Sequence, residues 1–367
     1  MREILSVLVA AVMAVAAYLL LWPVPIDPVA FTLPSAPGYQ GMHAVNNKLA
    51  NLKMIDLHGE EGPEHIAIGP DGKLYAAVAS GNILRMDPDG ANQTVFTNTG
   101  GRVLGFDFDA QGKLIAADAV KGLLSISPDG KSTTVLADKI GTDPIRYADA
   151  VVVAKSGKMY FSDASMRFAP KDWGGTFNAS VLDIIEGAST GRILEYDPAT
   201  KATRVVAGGL SFANGVALSA DEQHLFVNET GKFRLWKIAV AANDLNVAQT
   251  SPQATVLLDN LPGYPDNLMR GLDGKIWMGF AKPRNPKADA MADKPWLRRL
   301  SLRLPRSMWP VPPSYGHVIA FTEDGKIVAD LQDPTGTYPE TTAITETPDR
   351  LYVQSLHAHG LGWLPRP

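Results

Sequence analysis

The sequence predicts an all-β fold, a six-bladed β-propeller, preceded by an N-terminal transmembrane helix. Three observations carry this. A phrase recurs: an acid or amide near Gly or Pro, a short apolar run, then a turn of the Asp-Gly-Lys type. Its clearest copies begin at Gly62-Pro63-Glu64 and Tyr264-Pro265-Asp266-Asn267, with looser ones at Tyr147-Ala148-Asp149 and Phe212-Ala213-Asn214-Gly215. A hairpin phrase repeated every ~40–50 residues is the signature of propeller blades. Second, short strands alternate with turns such as Asp87-Pro88-Asp89-Gly90 and Ser127-Pro128-Asp129-Gly130, the all-β pattern. Third, Ile4 to Trp22 is uncharged. At about 1.5 Å per residue it just reaches across ~30 Å of hydrocarbon.

Residues 1–22 therefore read as a signal anchor. The rival, a cleaved signal peptide, needs a shorter apolar core followed by a small-x-small site. Here the bulky Tyr18-Leu19-Leu20-Leu21-Trp22 follows instead. Trp22 suits the membrane interface, and Arg2 favours an inside N-terminus with the body outside the cytoplasm, periplasmic or lumenal. Residues 23–51 are a Pro-rich tether leading to an outer strand, and 52–367 form the propeller. Six strand pairs are expected, around Ile66–Val78, Val103–Ala117, Ala150–Ser162, Val216–Val227, Leu268–Met278 and Ala343–Gln354, hence six blades. Two insertions interrupt the repeat, 172–187 and 282–313. The second carries an amphipathic helical segment opened by Pro295, with Trp296, Leu297, Leu300 and Leu304 on one side. Its arginines 298, 299, 303 and 306 either meet anionic headgroups or stay solvated on a cap over the channel.

Composition excludes some functions. The chain has 367 residues, no cysteine and a formal charge of -4. Disulfide, zinc-thiolate and cysteine-nucleophile chemistry are ruled out, and a nucleic-acid partner is disfavoured for want of a basic surface. No serine sits in a G-x-S-x-G context.

Inner strands of successive blades begin at the top of the channel, so equivalent positions converge there. Those positions hold Glu64, Asp149, Asn214, Asp266 and Asn267. Carboxylate and amide oxygens without imidazole or thiolate fit Ca²⁺, which takes six to eight oxygens, about 2.3–2.6 Å away. The bland alternative is that each caps a strand or turn. Asp163, Glu229 and His357 follow second strands, which return to the same face, and are expected at the pocket mouth. His357 and His359 titrate near neutrality and suit proton transfer, whereas Asp118 reads as a turn cap.

These phrases, with Phe161-Ser162-Asp163-Ala164-Ser165 and Gly191–Asp197, resemble the strictosidine-synthase-like/adipocyte plasma-membrane-associated protein family. More distantly the chain resembles the paraoxonases and gluconolactonases. The resemblance implies metal ligation by Glu64, Asn214, Asp266 and Asn267, and water activation by Asp266. It implies a Ca²⁺-dependent hydrolase of lactones or aryl esters. Two departures stand out. The third-blade ligand, an Asn in those relatives, is Ala148, leaving neighbouring Asp149 or water in its place; the paraoxonase histidine pair falls at Leu104 and near Asp118. The alternatives are an amine–aldehyde condensing enzyme of the strictosidine-synthase type, whose late acidic phrase Pro339-Glu340-Thr341-Thr342 only loosely reproduces, and a ligand-binding propeller without activity.

Overall fold

The computed structural model describes residues 1–309 and 311–366. Among them, six blade sheets follow one another along the chain, with a two-stranded ribbon between the second and third; the blades are antiparallel except for a short parallel strand, Leu245–Asn246, at the edge of the third. Their inner strands are His65–Ile68, Val103–Phe108, Ala148–Val153, Ala213–Leu218, Gly263–Arg270 and Thr341–Glu346. Each blade turns back through a tight turn at its outer end, as at Gly69–Lys73 and Asp109–Lys113. The expected blades are all present, and each also has an outermost fourth strand that the repeat did not reveal. Thr94–Asn98 and Thr133–Ala137 are such strands, short and largely exposed, with little apolar signal.

The ring closes by joining the two ends of the chain. Lys53–Ile55 pairs antiparallel with Leu361–Pro365, Lys53 opposite Trp363 and Ile55 opposite Leu361. That is the outer strand expected after the tether. It removes the free edge that an open ring of blades would expose. The core lies between neighbouring blades rather than in one centre. Val216, Leu225 and Trp236 of the fourth blade pack with Ile193, Val206 and Leu210 of the third.

Inner strands carry register shifts near their starts, between Ala148 and Val151, Ala213 and Val216, and Pro265 and Leu268. A bulge re-aims side chains. Here the shifted stretches contain Asp149, Asn214, and Asp266 with Asn267. Gly215 permits the approach of the next blade, because a Cβ there would lie 2.5 Å from the carbonyl oxygen of Asp266.

Residues 2–21 form one helix, fully exposed and apolar enough to cross a membrane, with a mean hydropathy of 2.7. The Pro-rich segment after it is irregular, as expected, but it is fastened down. Val29 N–H donates to Glu186 O at 2.9 Å, Phe31 N–H to Ala292 O at 3.1 Å, and Arg284 to Pro34 O at 2.9 Å. It is a strap laid across both insertions.

The first insertion folds as a helix, Thr176–Glu186, and the second as Pro286–Asp289 and Pro295–Arg303. Gly187 ends the first with φ of 66° and leaves room for Phe31, which a Cβ would meet at 2.4 Å. The arginines of the second insertion have partners within the chain. Arg298 is buried and donates to the carbonyls of Val29, Ile185, Glu186 and Ala292. Arg299 pairs with Asp27, and Arg306 donates to Asn178. Arg303 donates to Leu19 O at 3.0 Å and Trp22 O at 2.7 Å, the orphan carbonyls at the end of the apolar helix. Trp296 is the exposed exception on that helix.

Candidate functional site

Glu64, Asp149, Asn214, Asp266 and Asn267 are all buried at the top of the channel, where the strand starts placed them. The acids sense one another. Burial, then Asp266 and Glu64, push the Asp149 carboxyl well above the ordinary carboxylate range. Burial, then Glu64, does the same to Asp266. Burial raises Glu64 too, against the opposing pull of Arg102. Arg102 and His357 oppose that rise at Glu64, and Arg102 opposes it at Asp149. Arg102 reaches Glu64 Oε2 at 2.5 Å and also donates to the carbonyl of Val78.

Each amide also leaves its oxygen unused. Asn267 donates its Nδ2 to Glu64 O at 3.0 Å, which leaves its Oδ1 buried without a partner. Asn214 Oδ1 is likewise buried and unpartnered. Unpaired buried oxygens cost about 1–3 kcal/mol each unless something donates to them. A hard cation answers both deficits, since it binds oxygens and supplies charge. The residues therefore fit Ca²⁺. Among the described residues, oxygens of the three acids do not all lie within 4.8 Å of one another. Ala148 packs into the apolar cluster with Ile145 and Phe161, so it is Asp149 that reaches the channel from the third blade.

A supporting layer holds this set. Asn228 Nδ2 donates to Asp266 O at 2.6 Å, Thr230 Oγ1 to Pro265 O at 2.6 Å, and Thr342 Oγ1 to Glu64 O at 2.8 Å. Sequence reasoning missed Arg102 and Tyr147. Tyr147 is buried against the acids and donates to Thr176 O at 2.9 Å. Arg102 has no counterpart among the repeated phrases, whereas Tyr147 shares its position with Phe212 and Tyr264, two residues before the channel oxygens of the fourth and fifth blades.

His357 lines the same cavity as Glu64, Arg102 and Asp149. Its Nδ1 bonds Glu340, whose other oxygen is 2.7 Å from Lys282 Nζ. That bond holds the imidazole above its usual range. His359 is exposed and faces Glu61 at 3.3 Å. Two expectations fail. Asp163 and Glu229 do not line the mouth; both are completely buried. Asp163 accepts from the backbone of Arg146 and Tyr147 and from Arg192 Nε. Glu229 accepts from Ser211 N–H, Arg234 and Trp236. Asp118 does cap a turn, accepting from Thr99, Arg102 N–H and Val120 N–H.

Two cavities meet over the acids. One, of about 500 Å³, is polar and holds Glu64, Arg102, Asp149, Asp266 and His357. The other, of about 520 Å³, is walled by Phe31, Leu33, Trp173, Phe177, Ile185 and Met291, from the strap and both insertions. Asn214, Asp266 and Phe212 border both.

A six-bladed propeller with an oxygen-lined channel top and an apolar antechamber defines the class. The chain belongs to the strictosidine synthase-like family. Residues 41–86 match the model described as "Strictosidine synthase-like, N-terminal", and 149–243 match "Strictosidine synthase". It is 32% identical to protein STRICTOSIDINE SYNTHASE-LIKE 7 of Arabidopsis thaliana, over 74% of this chain and 71% of that one. It is 30% identical to the adipocyte plasma membrane-associated protein of Gallus gallus, over 91% and 82%. A 34% match to Arabidopsis STRICTOSIDINE SYNTHASE-LIKE 13 covers 55% of this chain and only 48% of that relative. Among solved structures, a Xanthomonas campestris gluconolactonase shares the fold with a TM-score of 0.61 at 17% identity, covering 94% of this chain and 99% of its own. Regucalcin of Agrobacterium tumefaciens, titled a calcium-binding protein, follows at 0.57 and 16%, covering 85% and 92%.

Proposed function

We propose that the chain is a membrane-anchored, Ca²⁺-dependent hydrolase of lactones or aryl esters. The observation that carries this is the buried set of three carboxylates and two unpartnered amide oxygens around one arginine. Glu64, Asn214, Asp266 and Asn267 would hold the ion, with Asp149 beside them. Bound there, Ca²⁺ supplies Lewis-acid polarisation of a carbonyl. The rest belongs to the chain. The apolar antechamber binds the acyl or aryl part and excludes water from it. Asp266, at the border of the two cavities, takes the proton of the attacking water. His357, kept protonated by Glu340, donates a proton to the leaving oxygen from the mouth. Arg102 holds the Glu64 carboxylate in place.

Anchoring follows from the apolar helix, whose last carbonyls are bound by Arg303 of the cap. The propeller then lies outside the cytoplasm, with the cap against the membrane end of the anchor.

The fold's family name favours a second reading through one observation. Glu340, a late carboxylate at the start of the sixth inner strand, stays below its usual range beside His357 and Lys282. A carboxylate with two basic neighbours there suits amine activation in a condensation. A screen of aryl esters and lactones, on chelated and Ca²⁺-replete protein, separates the two. Ca²⁺-dependent turnover lost in Asp266→Asn supports hydrolysis. Ca²⁺-independent amine–aldehyde condensation lost in Glu340→Gln refutes it.

A further inference from the structure

A second ligand cluster lies away from the channel. His43, in the short turn Gly41–His43 of the strap, places Nδ1 2.8 Å from Asp330 Oδ2. His317, on the third strand of the fifth blade, places Nε2 3.1 Å from the same oxygen. All three ligand atoms lie within 4.8 Å of one another. A tetrahedral ion with bonds of ~2.0–2.2 Å sets ligand atoms about 3.3 Å apart, so the two contacts to Asp330 are within about half an ångström of what it needs.

The surroundings are those of a held metal ligand. Asp330 Oδ1 accepts from Gln332 Nε2 at 2.6 Å and Asn46 Nδ2 at 3.1 Å, leaving Oδ2 for single-point ligation. His317 is 1% exposed, and its Nε2 faces Asp330. Phe280 packs over that ring with centroids 4.6 Å apart. Two polar groups beside it have no hydrogen-bond partner, His317 Nδ1 and the buried hydroxyl of Tyr39. Tyr39 stacks on Tyr315 at 4.5 Å, lies 5.4 Å from the His317 ring, and feels the charge of Asp330. Tyr39 thus adds an unpartnered oxygen on a ring packed beside that of His317.

We propose that His43, His317 and Asp330 form a structural site for a borderline divalent transition metal of the Zn²⁺ class, clasping the strap to the fifth blade. Two imidazoles and one carboxylate suit that class, while the all-oxygen set in the channel suits a hard cation. The two sites thus sort metals by chemistry. The clasp joins residues 287 positions apart in the chain, and a bond closing so long a loop constrains the unfolded chain strongly.

The test uses the full-length protein in detergent, kept in Ca²⁺ and stripped with a nitrogen-donor chelator. Co²⁺ serves as the spectroscopic probe and Zn²⁺ as the stabiliser. One equivalent of Co²⁺ is expected, with the visible absorption of a four-coordinate nitrogen–oxygen site. Affinity should fall in His43→Ala by more than the ~10–100-fold that loss of an outer-shell partner costs. Zn²⁺ should raise the melting temperature of the wild type and leave that of His43→Ala unchanged. His43 sits on a surface turn, so this variant keeps its fold, and Asp330→Asn gives a second probe of the same shape without the charge. Absence of Co²⁺ binding in folded wild type, or equal binding in His43→Ala and Asp330→Asn, overturns the site. The cluster is then a hydrogen-bonded staple only. Either way the Ca²⁺ response of the channel is read separately.

Discussion

Removing Ca²⁺ and replacing Asp266 by Asn should each change stability, and the two changes should interact. With Ca²⁺ at about 100 times its dissociation constant, ligand binding stabilises the folded chain by about 2.7 kcal/mol. Unfolding a propeller of residues 52–366 carries an entropy of roughly 0.66 kcal/mol per kelvin, so that gain is about 4 °C in melting temperature. Asp266 is buried, and after burial Glu64 is the largest influence raising its carboxyl. Asp266→Asn keeps the shape and removes one repelling charge. In chelator the variant should therefore melt at or above the wild type. In saturating Ca²⁺ it should lose most of the ~4 °C, because a neutral amide is a weaker ligand for a hard cation. The assay is differential scanning calorimetry of the anchored protein in detergent, with and without Ca²⁺. If Asp266 only caps its strand, Asn costs the same in both buffers. Equal losses, or a wild type blind to Ca²⁺, would refute the reasoning.

Other outcomes follow from the same physics. Asp183, 1% exposed on the first insertion helix, has its carboxyl pushed up to about 8, chiefly by burial. Its unfolded value is about 3.9, so the folded state binds the extra proton; stability from this group is complete below pH ~4 and drains away as pH rises towards 8, by on the order of 4 kcal/mol at pH 7. Asp183→Asn should flatten that slope, and melting temperatures equal in their pH dependence would show the burial does not act this way. Arg298→Ala strips one donor from four carbonyls and should open the strap and first insertion locally, at a cost of roughly 2–3 kcal/mol per unmet charged bond at most. Hydrogen exchange should speed up at 25–35 and 176–186 while the blades stay protected; unchanged exchange there refutes the hub role. Glu340 holds His357 above its usual range, so the imidazolium persists to higher pH, and turnover needing that proton falls as pH rises through the raised value. Glu340→Gln should move this falling limb to lower pH, and His357→Gln should abolish it without lowering the melting temperature. A limb that stays in both variants assigns the proton elsewhere.

Repetition decided what was legible in the sequence. Glu64, Asn214 and Asp266 announce themselves because the same phrase recurs and the fold maps each copy onto one ring. Asp149 is legible for the same reason, and the bulge at Ala148 settles which of two neighbours faces the channel. Arg102 occurs once at its position, so no pattern sets it apart, and Tyr147 recurs with Phe212 and Tyr264 as an aromatic whose place in the phrase reads as packing. The strap is hidden differently. Its hydrogen bonds run from backbone to segments hundreds of residues away, as from Val29 to Glu186, and backbone bonding leaves no mark on side-chain choice. The arginines of the second insertion show the opposite hazard. Their spacing looked like a surface feature, yet each is bound by carbonyls, an aspartate or an amide already present in the chain.

The acids at the channel end of the blades divide into two kinds, and the division points to the site. Asp163 and Glu229 are wholly buried yet matched, Asp163 by Arg192 and two backbone N–H groups, Glu229 by Arg234, Trp236 and Ser211 N–H. Buried charges matched in this way tie strands together and need nothing further. Asp149 and Asp266 are equally buried, but the main charges near them are other acids. Folding alone gives no return for that arrangement, since neutral residues of similar volume would pack there at lower cost. A fold that repeats one motif six times could have stapled every blade alike. It instead leaves Asp149, Asp266 and the unpartnered amide oxygens at the convergence point, the set that the Ca²⁺ proposed above would complete.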